Sequence, residues 1–74
     1  MLDRTIDFYL DRAKAQIGTK SDRELARVLG YRGPIVCDFR ARRVWPSDDV
    51  MVRLADLAGV DHQTALAELN VWRT

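Results

Sequence analysis

The basic residues of this 74-residue chain are concentrated between positions 20 and 43. Seven lysines and arginines stand there against three acidic residues, and they are Lys20, Arg23, Arg27, Arg32, Arg40, Arg42 and Arg43. Residues 1–19 are neutral and residues 44–74 carry a net charge of −3, so the total is only +1. A local excess of cationic side chains is the chemistry that binds nucleic-acid phosphates. The alternative is an ordinary solvated surface.

The other reactive side chains do not indicate a catalytic or metal site. Cys37 is the one cysteine, so a redox role has no resolving partner and a small packing side chain is the simpler interpretation. His62 has no Cys or His at ligand spacing. Asp48 and Asp49 are adjacent, so they project to different sides of a helix and do not form a pair of acids for catalysis. We therefore expect no enzyme activity, no metal or other cofactor, and no small-molecule substrate.

Length and composition limit the class of protein. Seventy-four residues allow one domain over residues 1–74, which buries roughly 60% of its unfolded surface and has one modest core. An apolar content of 47% with 31% charged residues indicates a globular chain. No apolar run exceeds three residues, so neither a membrane span nor a signal peptide is predicted. With one cysteine, this favours a cytoplasmic protein.

The apolar pattern is helical, and no strand pattern is present. A first helix, which Gly18 ends, has one apolar stripe at Leu2, Ile6, Tyr9, Ala13 and Ile17. Ser21 and Glu24 form a capping box for a second helix. That helix runs to about Leu29 and ends at Gly30, because glycine readily takes the left-handed conformation.

Three further helices follow. Pro34 suits the first turn of a third helix, from about Pro34 to Arg42, with an apolar side of Ile35, Val36 and Phe39. Residues 44–46 are extended, and Trp45 belongs either to the core or to an interface. Ser47 caps a fourth helix that Gly59 ends, with an inward face of Val50, Met51, Leu54, Leu57 and Ala58. Asp61 caps a fifth helix with Ala65, Leu66, Leu69 and Trp72 on one face.

Two short helices joined by a turn of three to four residues are typical of a helix-turn-helix. Ala26 is small where these helices cross, Gly30 lies in the turn, and Val36 and Phe39 face back onto the second helix. Leu25, Leu29, the Pro46-Ser47 helix start and the run 54–60 complete the pattern. With these features the sequence resembles the Cro/CI-type (xenobiotic-response-element-type) family of helix-turn-helix repressors, especially small phage-related regulators. The resemblance covers essentially the whole chain and implies an all-α, five-helix, lambda-repressor-like domain.

The resemblance also implies that the third helix enters the major groove of double-stranded DNA. Carried over by position, the base-facing set is Arg32, Gly33, Pro34, Cys37 and Asp38. The phosphate-facing set is Lys20, Arg23, Arg40, Arg42 and Arg43, and Arg27 shares a helix face with Arg23. Relatives commonly have Gln, Ser or Thr where this chain has Gly33 and Pro34, which cannot hydrogen-bond to bases through a side chain. Asp38 is expected to accept from a cytosine amino group.

The expected function is that of a DNA-binding transcriptional regulator, a phage or prophage repressor in the cytoplasm of a bacterium or infected host. A homodimer would place two third helices about 34 Å apart and block polymerase. The candidate dimer contact is Leu66, Leu69 and Trp72, whose alternative role is to close the core. The alternative function is a protein-interaction module on the same scaffold, such as an antitoxin or anti-repressor, with the acidic residues 44–74 as its working surface.

Overall fold

Every regular element that the computed structural model describes, over residues 4–74, is an α-helix. The five helices are α1 (Ile6–Ile17), α2 (Asp22–Val28), α3 (Ile35–Arg40), α4 (Asp48–Ala58) and α5 (His62–Arg73). This confirms the expected all-α class and the order of the helices. Leu2, the first member of the predicted apolar stripe, lies outside the described residues. None of the helices described is long and apolar enough to cross a bilayer.

Three helices begin with the side-chain caps that the sequence predicts. The side chains of Ser21, Ser47 and Asp61 each accept a hydrogen bond from the backbone N–H three residues later, at 3.3, 3.4 and 3.2 Å. The predicted capping box is only half formed. The backbone N–H of Ser21 donates to the Thr19 hydroxyl at 3.0 Å, so the local turn supplies the acceptor that was expected from Glu24.

Four helices end with the same hydrogen-bond pattern. At Gly18, Gly30 and Gly59 the chain turns left-handed, and the N–H groups of the glycine and its successor donate to carbonyls of the last helical turn. At the end of α3 the corresponding residue is Arg42, with a φ of 59°. Its N–H donates to Phe39 O at 3.1 Å, and the N–H of Arg43 donates to Asp38 O at 3.0 Å.

The helix α3 is therefore shorter than the span from Pro34 to Arg42 that the sequence predicts. Pro34 precedes the first helical residue, because its ψ of 39° lies outside the helical range. At the other end, Ala41 and Arg42 form the terminating turn. Helix α3 consequently has six residues, about 9 Å at 1.5 Å per residue.

One hydrophobic core draws side chains from all five helices. Helix α4 packs between α1 and α5, while α2 and α3 pack on each other and on α1. Tyr9, Phe39, Leu54 and Leu69 are among the side chains that the core encloses completely. Ala26 is 2% exposed on α2, so a larger side chain there would meet neighbouring atoms of the core.

The core also contains residues that were candidates for a dimer contact or an interface. Leu69 is fully buried, so its expected role in a dimer contact is wrong and it closes the core instead. Leu66 and Trp72 are half-buried and pack against the same core. Trp45 stacks on Trp72 with ring centroids 5.7 Å apart, and Trp72 Nε1 donates to Arg4 O at 3.2 Å. These contacts make Trp45 part of the packing between the α3–α4 loop and α5.

A polar cluster ties the start of the described chain to α5. Arg4 Nε donates to Glu68 at 2.9 Å, and the Tyr9 hydroxyl donates to the other oxygen of the same carboxylate. Burial raises the pKa of the Tyr9 hydroxyl well above its usual value, and the bond to Glu68 adds to that effect. Tyr9 is therefore a neutral donor, and it satisfies one oxygen of a half-buried carboxylate.

Candidate nucleic-acid interface

Helix α2 and the segments on either side of it carry cations without internal partners. Lys20, Arg23, Arg27 and Arg32 are exposed and form no ion pair with any residue of the described span 4–74. Arg23 and Arg27 are four residues apart on α2, which places them on one side of the helix. Together with Arg32 they line a single cavity, whose floor includes Gly30 and Tyr31.

The turn between α2 and α3 holds this cavity open. Gly30 and Gly33 have φ values of 88° and 75°, which any residue with a Cβ adopts only with strain. Between them Tyr31 packs edge-on against Phe39, with ring centroids 6.0 Å apart, and so anchors the turn to the core of α3. Arg53 on α4 donates to Leu29 O at 3.4 Å and satisfies a carbonyl at the end of α2.

The predicted base-facing residues adjoin the same surface. A second cavity is lined by Arg23, Gly33, Pro34 and Cys37, among others, so it shares Arg23 and Gly33 with the first. Pro34 and Cys37 are exposed, whereas Val36, which also lines the second cavity, is 1% exposed. Four of the five predicted positions, 32, 33, 34 and 37, therefore line two cavities that share Arg23 and Gly33.

Asp38, the fifth predicted base-facing residue, has a partner of its own. Its carboxylate accepts from Arg43 Nη1 at 2.9 Å, and its side chain is 34% exposed. Arg43 is a predicted phosphate contact, and its side chain is 67% exposed. The structure therefore joins a residue from the base-facing set to one from the phosphate-facing set.

Arg40 is enclosed by three carboxylates. Its guanidinium donates to Asp7 at 2.9 Å, to Asp11 at 2.8 Å and to Asp22 at 3.2 Å, which links α1, α2 and α3. The hydrogen bonds from Arg40, opposed by partial burial and assisted by Lys14 at 2.8 Å, hold the pKa of Asp22 below its usual range. Since these carboxylates occupy its donors, we assign Arg40 to the stability of the fold and leave it out of the candidate interface.

Arg42 is intermediate between the enclosed Arg40 and the exposed Arg43. Its Nη1 donates to Arg40 O at 2.7 Å, and its Nη2 lies 3.6 Å from a carboxylate oxygen of Asp7. Its side chain is still 45% exposed. It keeps donors that face solvent at the end of α3.

Two features of this region lie outside the predicted sets. Arg27 lines the cavity with Arg23, as their four-residue spacing indicates, but the predicted phosphate-facing set does not contain it. The sequence also does not predict the Arg40 cluster, because Asp7, Asp11 and Asp22 lie 18 to 33 positions away along the chain. No local pattern announces a contact between residues that far apart.

Helices α4 and α5 have a different electrostatic character, because most of their charged residues are acidic. Asp48 pairs with Arg73 at 3.2 Å, and Asp56 contacts His62, so two of these acids have partners. Asp49 and Asp61 are exposed near the starts of α4 and α5, where negative charge suits the helix dipole. Within residues 4–74, no three His, Cys, Asp or Glu side chains are arranged to hold a metal ion.

Neither a protein-family model, nor a curated protein, nor a solved structure matches this chain.

Proposed function

We propose that this chain is a sequence-specific, DNA-binding transcriptional regulator with a lambda-repressor-like fold of the Cro/CI type. One observation carries the proposal. Arg23, Arg27 and Arg32 gather around one cavity beside the outward face of α3, with no carboxylate partner in the described chain. Guanidinium groups that face solvent without an internal counter-charge are suited to phosphate oxygens, which they bind with bidentate geometry.

In this proposal α3 lies in the major groove and α2 follows the sugar-phosphate backbone. Arg32 supplies the strongest base contact, because a guanidinium can donate two hydrogen bonds to guanine O6 and N7. Pro34 and Cys37 are small and exposed, so they let the helix approach the base edges closely. Lys20, Arg23 and Arg27 contact phosphates, as does Arg43 once it is released from Asp38.

A six-residue reading helix with one strong base contact limits the specificity of a single copy. We therefore propose a homodimer on a two-fold symmetric operator, acting as a phage or prophage repressor. The chain measures 29 × 24 × 21 Å. The centres of two copies in contact would therefore have a separation of the same order as the spacing of about 34 Å between successive major grooves. The proposed contact is the outer edge of α5, where Leu66 and Trp72 are half-buried and Val71 is 72% exposed.

A salt titration with duplex DNA tests the proposal. Affinity should fall steeply with salt, and Arg27→Ala should reduce the slope of log affinity against log salt by about one. The same variant should lose about tenfold in affinity at 0.1 M salt. Arg73→Ala is the matched control, since it also removes one exposed helical arginine but lies on α5, and it should bind as the unmodified chain does.

Two results would contradict the proposal. Undetectable duplex binding at low salt would favour the protein-interaction module, with residues 44–74 as its surface. Equal losses in the Arg27 and Arg73 variants would show that net charge, and not the cavity between α2 and α3, governs binding. Selection of bound duplexes from a random pool then tests the dimer, because a palindromic product reports two symmetric copies.

A further inference from the structure

The acidic residue of α3 stands out on the groove-facing side. Within Ile35–Arg40 the one acidic side chain is Asp38, which is one helical turn after Pro34 and next to the exposed Cys37. A carboxylate on a surface that approaches DNA is repelled by phosphates and by the acceptor atoms of bases. The contact between Asp38 and Arg43 removes that disadvantage in the free protein.

The backbone at the end of α3 holds this pair together. Because Arg42 turns left-handed, the chain reverses and the N–H of Arg43 reaches Asp38 O at 3.0 Å. The same reversal places Arg43 Nη1 2.9 Å from the Asp38 carboxylate. The other three helix ends of this type have glycine at the left-handed position, so α3 keeps a strained arginine at the edge of the candidate interface.

The pair is arranged so that one partner can leave. Arg43 is 67% exposed and forms one ion pair, whereas Arg40 is 26% exposed and forms three. An exposed pair is weak because water and salt screen it, so a phosphate competes effectively for the guanidinium. Asp38 remains in place, because it belongs to the helix itself.

We propose that the Asp38–Arg43 ion pair is exchanged on DNA binding and that the released Asp38 carboxylate determines sequence preference by repulsion. This inference rests on the proposed DNA-binding function. Arg43 moves to a phosphate, and Asp38 then faces the base edges. A base edge that presents an amino group there, cytosine N4 or adenine N6, donates a hydrogen bond to the carboxylate. A position that presents only acceptors, such as guanine N7 and O6, leaves it unpaired, and binding to that sequence weakens.

The test uses the full chain and a set of duplexes that differ one base pair at a time from a duplex selected for tight binding. Asp38→Asn keeps the size of the side chain but removes its charge. It should raise affinity for the disfavoured duplexes about tenfold and leave the favoured duplex within about threefold, because one mismatched base pair typically changes affinity by roughly tenfold or more. Asp49→Asn is the matched control: it removes the same charge from α4 and should not alter the ranking of duplexes.

Arg43→Gln tests the exchange. It removes the phosphate contact that Arg43 makes after the exchange, so affinity should fall about tenfold on every duplex and the salt slope should decrease by about one. Adding Asp38→Asn to Arg43→Gln should restore part of that affinity and none of the slope. Thermal unfolding of each variant confirms that it is folded before binding is compared.

The outcomes separate this inference from the function on which it rests. If the unmodified chain binds duplex DNA but Asp38→Asn shifts all duplexes by the same factor, the repulsion mechanism is wrong and the DNA-binding function stands. An unchanged salt slope in Arg43→Gln would overturn the exchange. Absence of duplex binding by the unmodified chain would overturn the proposed function, and this inference with it.

Discussion

Two groups of arginines within one short stretch of sequence have opposite surroundings. Arg23, Arg27 and Arg32 face solvent around a cavity, with no carboxylate partner among residues 4–74. A second group, at the end of α3, contacts carboxylates through all its members, Arg40, Arg42 and Arg43. For Arg40 and Arg42 the difference comes from α1, because Asp7 and Asp11 of that helix reach the end of α3, whereas Arg43 pairs with Asp38 of α3 itself. Contacts with neighbouring carboxylates therefore separate the second group from the arginines that face solvent.

The second group is itself graded. Exposure of the side chain rises from 26% at Arg40 through 45% at Arg42 to 67% at Arg43, while the number of carboxylate partners falls from three to one. An ion pair that is less exposed and more highly connected is screened less and contributes more to stability. Arg40 should therefore affect folding, and Arg43 should affect binding.

Replacement of Arg40 should have the largest effect on stability. Arg40→Ala leaves Asp7, Asp11 and Asp22 without their shared counter-charge, and hydrogen bonds to charged groups contribute about 1.5–3 kcal/mol when well buried. Because the cluster is partly exposed, we expect the free energy of unfolding to fall by about 2 kcal/mol, measured by urea denaturation. Arg27→Ala should change it by less than about 0.5 kcal/mol. Similar losses in both variants would remove the distinction between the two groups.

Replacement of Arg42 by glycine should have a smaller effect of opposite sign. The left-handed backbone of Arg42 costs about 1–2 kcal/mol in a residue with a Cβ, and glycine removes that cost while adding freedom to the unfolded chain. We expect Arg42→Gly to raise the free energy of unfolding by about 0.5–1 kcal/mol. Arg42→Ala is the control, since it loses the guanidinium but keeps the strain. If Arg42→Ala raised the free energy of unfolding as much as Arg42→Gly does, the gain would come from loss of the charge and not from relief of backbone strain.

A fall in pH should have the smallest effect on the free energy of unfolding, and that effect comes from protonation of Asp22. Its pKa is lower in the folded chain than in the unfolded chain, because Arg40 and Lys14 bind its ionised form. The resulting stability is present above the unfolded pKa of about 3.9 and is lost as pH falls through the lower folded pKa. The stability difference between the unmodified chain and Asp22→Asn should therefore shrink from pH 5 to pH 2.5, by less than about 1 kcal/mol. A difference that does not vary with pH would exclude this ionisation.

Local sequence was sufficient for most of the helix boundaries. Ser47, Asp61 and Gly59 act through hydrogen bonds within four or five residues, so their effect can be read from neighbouring positions. The end of α3 could not be predicted in the same way, because an arginine and not a glycine takes the left-handed conformation there. A residue with a Cβ in that conformation carries no signal in the sequence.

The inventory of basic residues was likewise visible in the sequence, but their roles were not. Whether an arginine is paired depends on carboxylates that the fold brings from far along the chain, as Asp7 is brought to Arg40 across 33 positions. Leu69 shows the same limit for apolar residues, since periodicity places it on one face of α5 while packing against the other helices buries it. Spacing along the chain specifies which side chains share a helix face. Contacts between helices specify whether that face meets the core, a counter-charge or solvent.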